Sequence, residues 1–253
     1  MPTVEPDILL ELEYYEAAQE YLRRLPLEHF MESTPQATQR EITLESLALV
    51  RARRPDFQVF NELLVQYPRP RRKRLGQVVP DNMVVIHPEP IVAEGSFDVP
   101  LQPAGPFWIL EYVSKSNRRK DYKDNKRKYD RDLKVPYYLL FAPDKQEMTL
   151  YRHNGSRFVK VAADENGRCA IEELDIEVGL IGTWVRFWHQ GELLPLPGEM
   201  QRSLDEARQH LDEAQHSLDE AQQRLAEMTQ RAEKAERDLA ELRARGKNGK
   251  HRE

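Results

Sequence analysis

Two different spacings of apolar residues divide this chain. In "DILLELEYYEAAQEYLRRL" (Asp7 to Leu25) they recur at helical spacing, although the early acids and tyrosines leave strand pieces open. "TPQATQREITLESLALVRARR" (Thr34 to Arg54) is a clearer amphipathic helix, with Ile42, Leu44, Leu47 and Leu49 among its apolar residues. The pattern then changes to short runs rich in β-branched and aromatic residues. "FQVFNELLVQYP", "NMVVIHP", "FWILEYV" and "PYYLLFAP" read as strands, and a basic helix separates the last two. "EMTLYRHNG" and "RFVKVAAD" meet at Asn154-Gly155, a strong hairpin signal. Helices, strands, a helix, a strand and a hairpin predict an α/β domain with a mixed central sheet flanked by helices.

After "LLPLPGEM" (Leu193 to Met200) the spacing becomes strictly seven. Leu204, Leu211, Leu218, Leu225, Ala232 and Leu239 occupy one position, and Ala207, Ala214, Ala221, Met228, Ala235 and Leu242 follow three residues later. A seam of this kind, unbroken by Pro or Gly, predicts a coiled-coil helix that buries its stripe against another chain, so a homo-oligomer through this tail is expected. A single solvated helix held by side-chain pairs four apart is the plainer alternative, and alanine at the second position leaves orientation and copy number open. The expected domains are therefore 1–195, a coiled-coil helix at 196–245 and a disordered end at 246–253.

Charge changes the picture locally rather than globally. The formal net charge is -5, yet Ser114 to Lys134 holds ten Lys/Arg against four Asp/Glu, and "RPRRKR" (Arg69 to Arg74) is basic apart from its proline. Such segregation offers a positive surface to nucleic acid or another polyanion, or else a solvated face. One cysteine, Cys169, excludes an internal disulfide and a Cys-rich zinc site; its "NGRCAIEEL" context reads as a turn and a strand that packs it. The N-terminal residues carry acids and no basic run ahead of an apolar one, so no signal peptide is expected. No apolar run nears the roughly 18 residues of a membrane span, and the expectation is a soluble cytoplasmic protein without membrane contact.

The candidate chemistry rests on two acids. Asp81 in "VVPDNMVV" opens a strand, and Glu111 closes the apolar "FWIL" of another. Carboxylates on neighbouring strands suit a hard cation such as Mg²⁺, which prefers oxygen ligands, and cations nearby would steady phosphoryl charge or grip a phosphate backbone. Each piece alone is weak, because a Pro-Asp pair usually marks a turn and a strand-end Glu is usually solvated. The seven histidines are scattered without a ligand-type pair, which argues against a zinc hydrolase.

The order of the pieces says more: "VPD" (Val79 to Asp81), then "EYVSKSN" (Glu111 to Asn117), then a helix with Asp121 and Tyr129, then "KVPYYLLFAP" (Lys134 to Pro143). This resembles the PD-(D/E)XK nuclease superfamily, and within it the Uma-type restriction endonuclease family, over roughly residues 25 to 190. The resemblance implies a restriction-endonuclease-like fold and a Mg²⁺- or Mn²⁺-dependent endonuclease acting on DNA. It makes Asp81 and Glu111 metal ligands, with Glu32 as the upstream acid. The superfamily lysine should follow the second acid by two residues, where Val113 stands, or the helix Asp by four, where Asn125 stands. On an α-helix Asp121, Asn125, Lys128 and Tyr129 share a face, so Lys128 is the first candidate for the lysine's role and Lys126 the second. Arg71, Arg72, Lys73, Arg74, Lys115, Arg118, Arg119 and Lys120 would lie along the DNA. The alternative is a nuclease fold that binds nucleic acid or assembles through its coiled coil without cutting, for which Asn125 is the best support.

Overall fold

The structure, a computed structural model, describes residues 6–25, 33–69, 74–113 and 120–248. They cluster into two compact units, Met1–Leu196 and Pro197–Glu253. In the first, α1 (Pro6–Arg23) and α2 (Thr34–Arg53) precede β1 (Phe57–Asn61), β2 (Leu64–Tyr67), β3 (Gly76–Val78), β4 (Asn82–Ile86) and β5 (Ser96–Asp98). Next come β6 (Trp108–Tyr112), a π-helical segment over Lys120–Asn125 and Lys128–Leu133, and β7 (Tyr137–Ala142). β8 (Glu147–His153), β9 (Phe158–Lys160), β10 (Cys169–Ile171), β11 (Ile176–Ile181), β12 (Trp184–His189) and β13 (Glu192–Leu193) complete this unit. The second unit holds α3 (Pro197–Asn248).

The central sheet has six strands in the order β1-β4-β6-β7-β8-β9. Only β6 and β7 run parallel, because the chain between them crosses back through the π-helical segment; the other neighbours are antiparallel. Both faces of the sheet are covered, which is why its middle strands read as continuous apolar runs. Trp108, Leu110, Leu139 and Phe141 pack under α2 and the four-stranded β10-β11-β12-β13 sheet. Their alternates, Ile109, Tyr138 and Leu140, pack with Tyr129 and with Val65, Val78 and Phe97 of the three-stranded β3-β2-β5 sheet. Gly155, at φ +91°, supplies the turn of the β8–β9 hairpin.

Two features differ from the expected pattern. "FQVFNELLVQYP" is two strands, not one: Glu62 takes a left-handed φ of +47°, which breaks the run and sends β1 and β2 into different sheets. α2 buries Gln39, Thr43 and Ser46 along with Ile42, Leu47 and Val50, a stripe that apolar spacing alone understates. Gln39 fits there because its amide substitutes for a strand: Nε2 donates to the Val185 carbonyl at 3.0 Å and Oε1 accepts from the Val185 N–H at 2.8 Å. That pair seats α2 on β12. Cys169 is buried, as expected, and burial pushes its thiol up.

Candidate active site

Strand alternation decides which way the two acids face. Glu111 shares the phase of Ile109 and Val113, and Asp81 that of Met83 and Val85; all four apolar residues belong to the cluster containing Tyr129. β4 and β6 pair Val84 with Trp108, Met83 with Ile109 and Asn82 with Leu110. One further step of the same register sets Asp81 across from Glu111. A hydrogen bond fixes that end, since Asp81 Oδ2 accepts from the Tyr112 backbone N–H at 2.6 Å.

Tyr112 anchors the opposite face of the same strand end. Its hydroxyl lies 2.7 Å from Thr43 Oγ1 and 2.5 Å from Asn82 Oδ1. The Asn82 oxygen carries no proton, so the single Tyr112 hydroxyl proton goes to it, and the Thr43 hydroxyl stands beside the phenol oxygen as its second polar partner. Burial pushes this phenol far above its ordinary range, which keeps the proton in place. Asn82 Nδ2 continues the chain to Asn61 Oδ1 at 2.8 Å. Gln36, in the first turn of α2, accepts from the Ser33 N–H and reaches the Tyr112 carbonyl at 3.4 Å. α2 and β4 thereby hold one residue, and that residue holds Asp81.

Glu111 is a carboxylate inside the protein, only 3% exposed. Tyr129 donates its hydroxyl to Glu111 Oε1 at 2.6 Å, and Asn125 Nδ2 donates to the same oxygen at 3.2 Å. Burying a carboxylate costs several kcal/mol unless donors replace its water, and these two do so. Burial, then the Glu111 charge, pushes the Tyr129 phenol well above its usual range, so it stays a donor throughout ordinary pH. The π-helical winding, with its i→i+5 bonds, changes the rotation per residue, yet Asn125 and Tyr129 still share a face, since both bond Glu111 Oε1. Lys128 Nζ donates to the Gln77 carbonyl of β3 at 2.9 Å, and Lys126 Nζ sits 3.8 Å above the centre of the Tyr151 ring.

Of the expected site residues, Asp81 and Glu111 come together, with Asn125 and Tyr129 beside Glu111. Arg74 is exposed just before β3. Glu32, Arg71, Arg72, Lys73, Lys115, Arg118 and Arg119 lie outside the described residues, as do the side chains of Lys120 and Asp121. Among the described residues no group of three or more His, Cys, Asp or Glu is placed to hold a metal. The two acids nonetheless offer the hard oxygen donors that Mg²⁺ and Mn²⁺ take, with the Tyr112 carbonyl at the same strand end, and these ions retain water in the remaining positions. Residues that hold the acids, rather than supply them, escaped the sequence: Gln36, Thr43 and Asn82 are separated from Tyr112 by 76, 69 and 30 positions, and no motif links them.

Among the described residues no helix is long and apolar enough to cross a membrane. No curated protein matches the chain. Among solved structures, the chain is similar to "a putative nuclease belonging to DUF820 from Anabaena variabilis ATCC 29413", at 15% identity and a TM-score of 0.43, over 57% of this chain and 75% of that one. The family model described as "Uma2: Putative restriction endonuclease" matches residues 18–184, which takes in α2, the central sheet, both acids and the π-helical segment. This chain therefore belongs to the Uma2 family.

Proposed function

We infer that the chain is a divalent-metal-dependent endonuclease that hydrolyses DNA phosphodiester bonds. The observation that carries this reading is the pairing of Asp81 with a buried Glu111 across β4 and β6, each tied by hydrogen bonds at the end of its strand. Asp81 and Glu111 would hold Mg²⁺ or Mn²⁺, with Glu32 as a further acid. A bound ion of this kind activates water for attack and offsets charge on the phosphoryl oxygens. Tyr129 and Asn125 keep the Glu111 carboxylate oriented, and the Tyr112 N–H does the same for Asp81. Lys128 and Lys126 supply positive charge on the segment that follows, and the basic run from Arg71 to Arg74, with Lys115, Arg118, Arg119 and Lys120, would follow the DNA backbone. That grip should weaken steeply as salt rises, because binding releases condensed counterions.

A second reading keeps the fold and gives up the cutting. It is favoured by Asn125, a neutral amide that faces Glu111 at the position where the resemblance expects a lysine. One experiment separates the two: plasmid nicking by the purified chain with and without Mg²⁺ or Mn²⁺, alongside Asp81→Asn and Glu111→Gln. Metal-dependent nicking that falls to background in both variants establishes the nuclease. Salt-sensitive DNA binding with no cutting in any chain selects the second reading, and cutting that persists in both variants removes these acids from the mechanism.

A further inference from the structure

α3 carries its apolar seam in the open. Leu211 is 68% exposed, Leu225 66% and Met228 67%, and Leu204, Leu218 and Leu239 are exposed with them. A continuous stripe of this kind marks a face that another surface covers. Many polar side chains of the helix are engaged with their own turns: Gln201 bonds Asp205, Gln209 bonds Glu213, Gln215 bonds Asp219 and Arg224 bonds Glu220. Arg231 and Glu236 flank the seam on opposite sides and make no hydrogen bond or ion pair among the described residues. They stand five apart, the separation at which flanking positions of two parallel, in-register helices meet.

We propose that α3 pairs with the α3 of a second copy of this chain in a parallel, in-register coiled coil, with Arg231 of each copy against Glu236 of the partner subunit. Charge complementarity selects this occupant and this direction. Flanking residues five apart run Ser203–Arg208, His210–Gln215, Ser217–Gln222, Arg224–Thr229, Arg231–Glu236 and Asp238–Arg243. Where both members carry full charges the signs are opposite, and no pair is like-charged. The antiparallel arrangement with full overlap sets Arg208 against Glu236 but also brings Arg224 opposite its own copy. Alanine at the second seam position lets the axes approach, so the leucine layers close over one another. With 52 residues, α3 is about 78 Å long. Parallel pairing brings both Leu196–Pro197 junctions to one end of the coil, whereas antiparallel pairing would separate them by most of that length. Resting on the nuclease reading, the consequence is delivery of two active sites to one duplex.

The test is the mass of the full-length chain in solution, by sedimentation equilibrium or light scattering, which needs neither metal nor DNA. A dimer is expected; a monomer or a higher oligomer overturns the proposal. Glu236→Arg should weaken the dimer by about tenfold, since both cross-chain pairs change sign. Adding Arg231→Glu to the same chain should restore it. Rescue by Arg208→Glu instead, or a dimer indifferent to Glu236→Arg, overturns the parallel register. Because the assay reads only assembly, its failure is distinct from a failure to cut DNA.

Discussion

Leu110 and Leu211 are the same side chain in opposite situations. Leu110, in the middle of β6, is fully buried between α2 and a second sheet, while Leu211 on α3 faces solvent with its seam neighbours. Both belong to regular apolar patterns. The period-2 pattern of the central strands finds its partners within the chain, because helices and smaller sheets cover both faces. The period-7 pattern of α3 leaves its apolar stripe to be covered from outside the helix. A helix of that length can satisfy its own backbone hydrogen bonds and still hold its apolar stripe unburied. Backbone periodicity and burial are therefore separate requirements: the fold meets both in the first unit, while α3 satisfies its backbone and leaves its stripe exposed.

Substitutions at matched positions break the comparison most directly. Leu139→Ala, in the buried centre of β7, should destabilise the first unit by about 2–5 kcal/mol, read as a shifted denaturant midpoint. Leu211→Ala should leave that midpoint unchanged and act only on the concentration-dependent signal of the helix. If both variants shifted the same transition equally, the two units would not be energetically separate.

A buried donor comes next in size. Tyr129→Phe removes a hydrogen bond to the Glu111 carboxylate and should cost about 1.5–3 kcal/mol, because the acceptor is charged and remains buried. Glu111→Gln should cost less or even stabilise, since the charge itself is removed, while abolishing the proposed cleavage. Denaturation curves of both variants sharpen the contrast between a site built against burial costs and a helix free of them. A cost for Glu111→Gln well above that for Tyr129→Phe would contradict this account.

The smallest effect concerns pH. His189, buried at the end of β12, has its imidazole held below the ordinary range, chiefly by burial and then by Arg53, whose guanidinium stands 3.4 Å from Nδ1. The unfolded chain therefore takes up this proton first. The contribution to stability is complete above the ordinary histidine value of about 6.5 and is lost as pH falls below it. The melting temperature of the first unit should drop as pH falls below about 6.5, and His189→Gln should flatten that slope.

Much of the first unit was legible in advance. The helix at α2, the strands β4, β6 and β7 and the β8–β9 hairpin follow from spacing and turn residues. The proximity of Asp81 and Glu111 was legible through the order of motifs and acquires its geometry from the β4–β6 register. The division of "FQVFNELLVQYP" at Glu62 was hidden, because a lone left-handed residue of this type leaves no compositional mark. The π-helical winding was hidden for a related reason: sequence periodicity assumes a rotation per residue that tertiary packing can alter.

By itself, the sequence determined where apolar surface lies and at what period, and hence which segments become strand, helix or seam. These properties are local, set by side-chain spacing against the repeat of the backbone. Only the tertiary structure decided that Tyr112 holds Asp81, that Tyr129 and Asn125 hold Glu111, and that Lys128 turns to Gln77 while Lys126 covers Tyr151. Those pairings join residues from 14 to 51 positions apart. The physical reason is burial: a polar group removed from water must find its partner wherever the packed elements place one, and that place is a property of the assembled sheet.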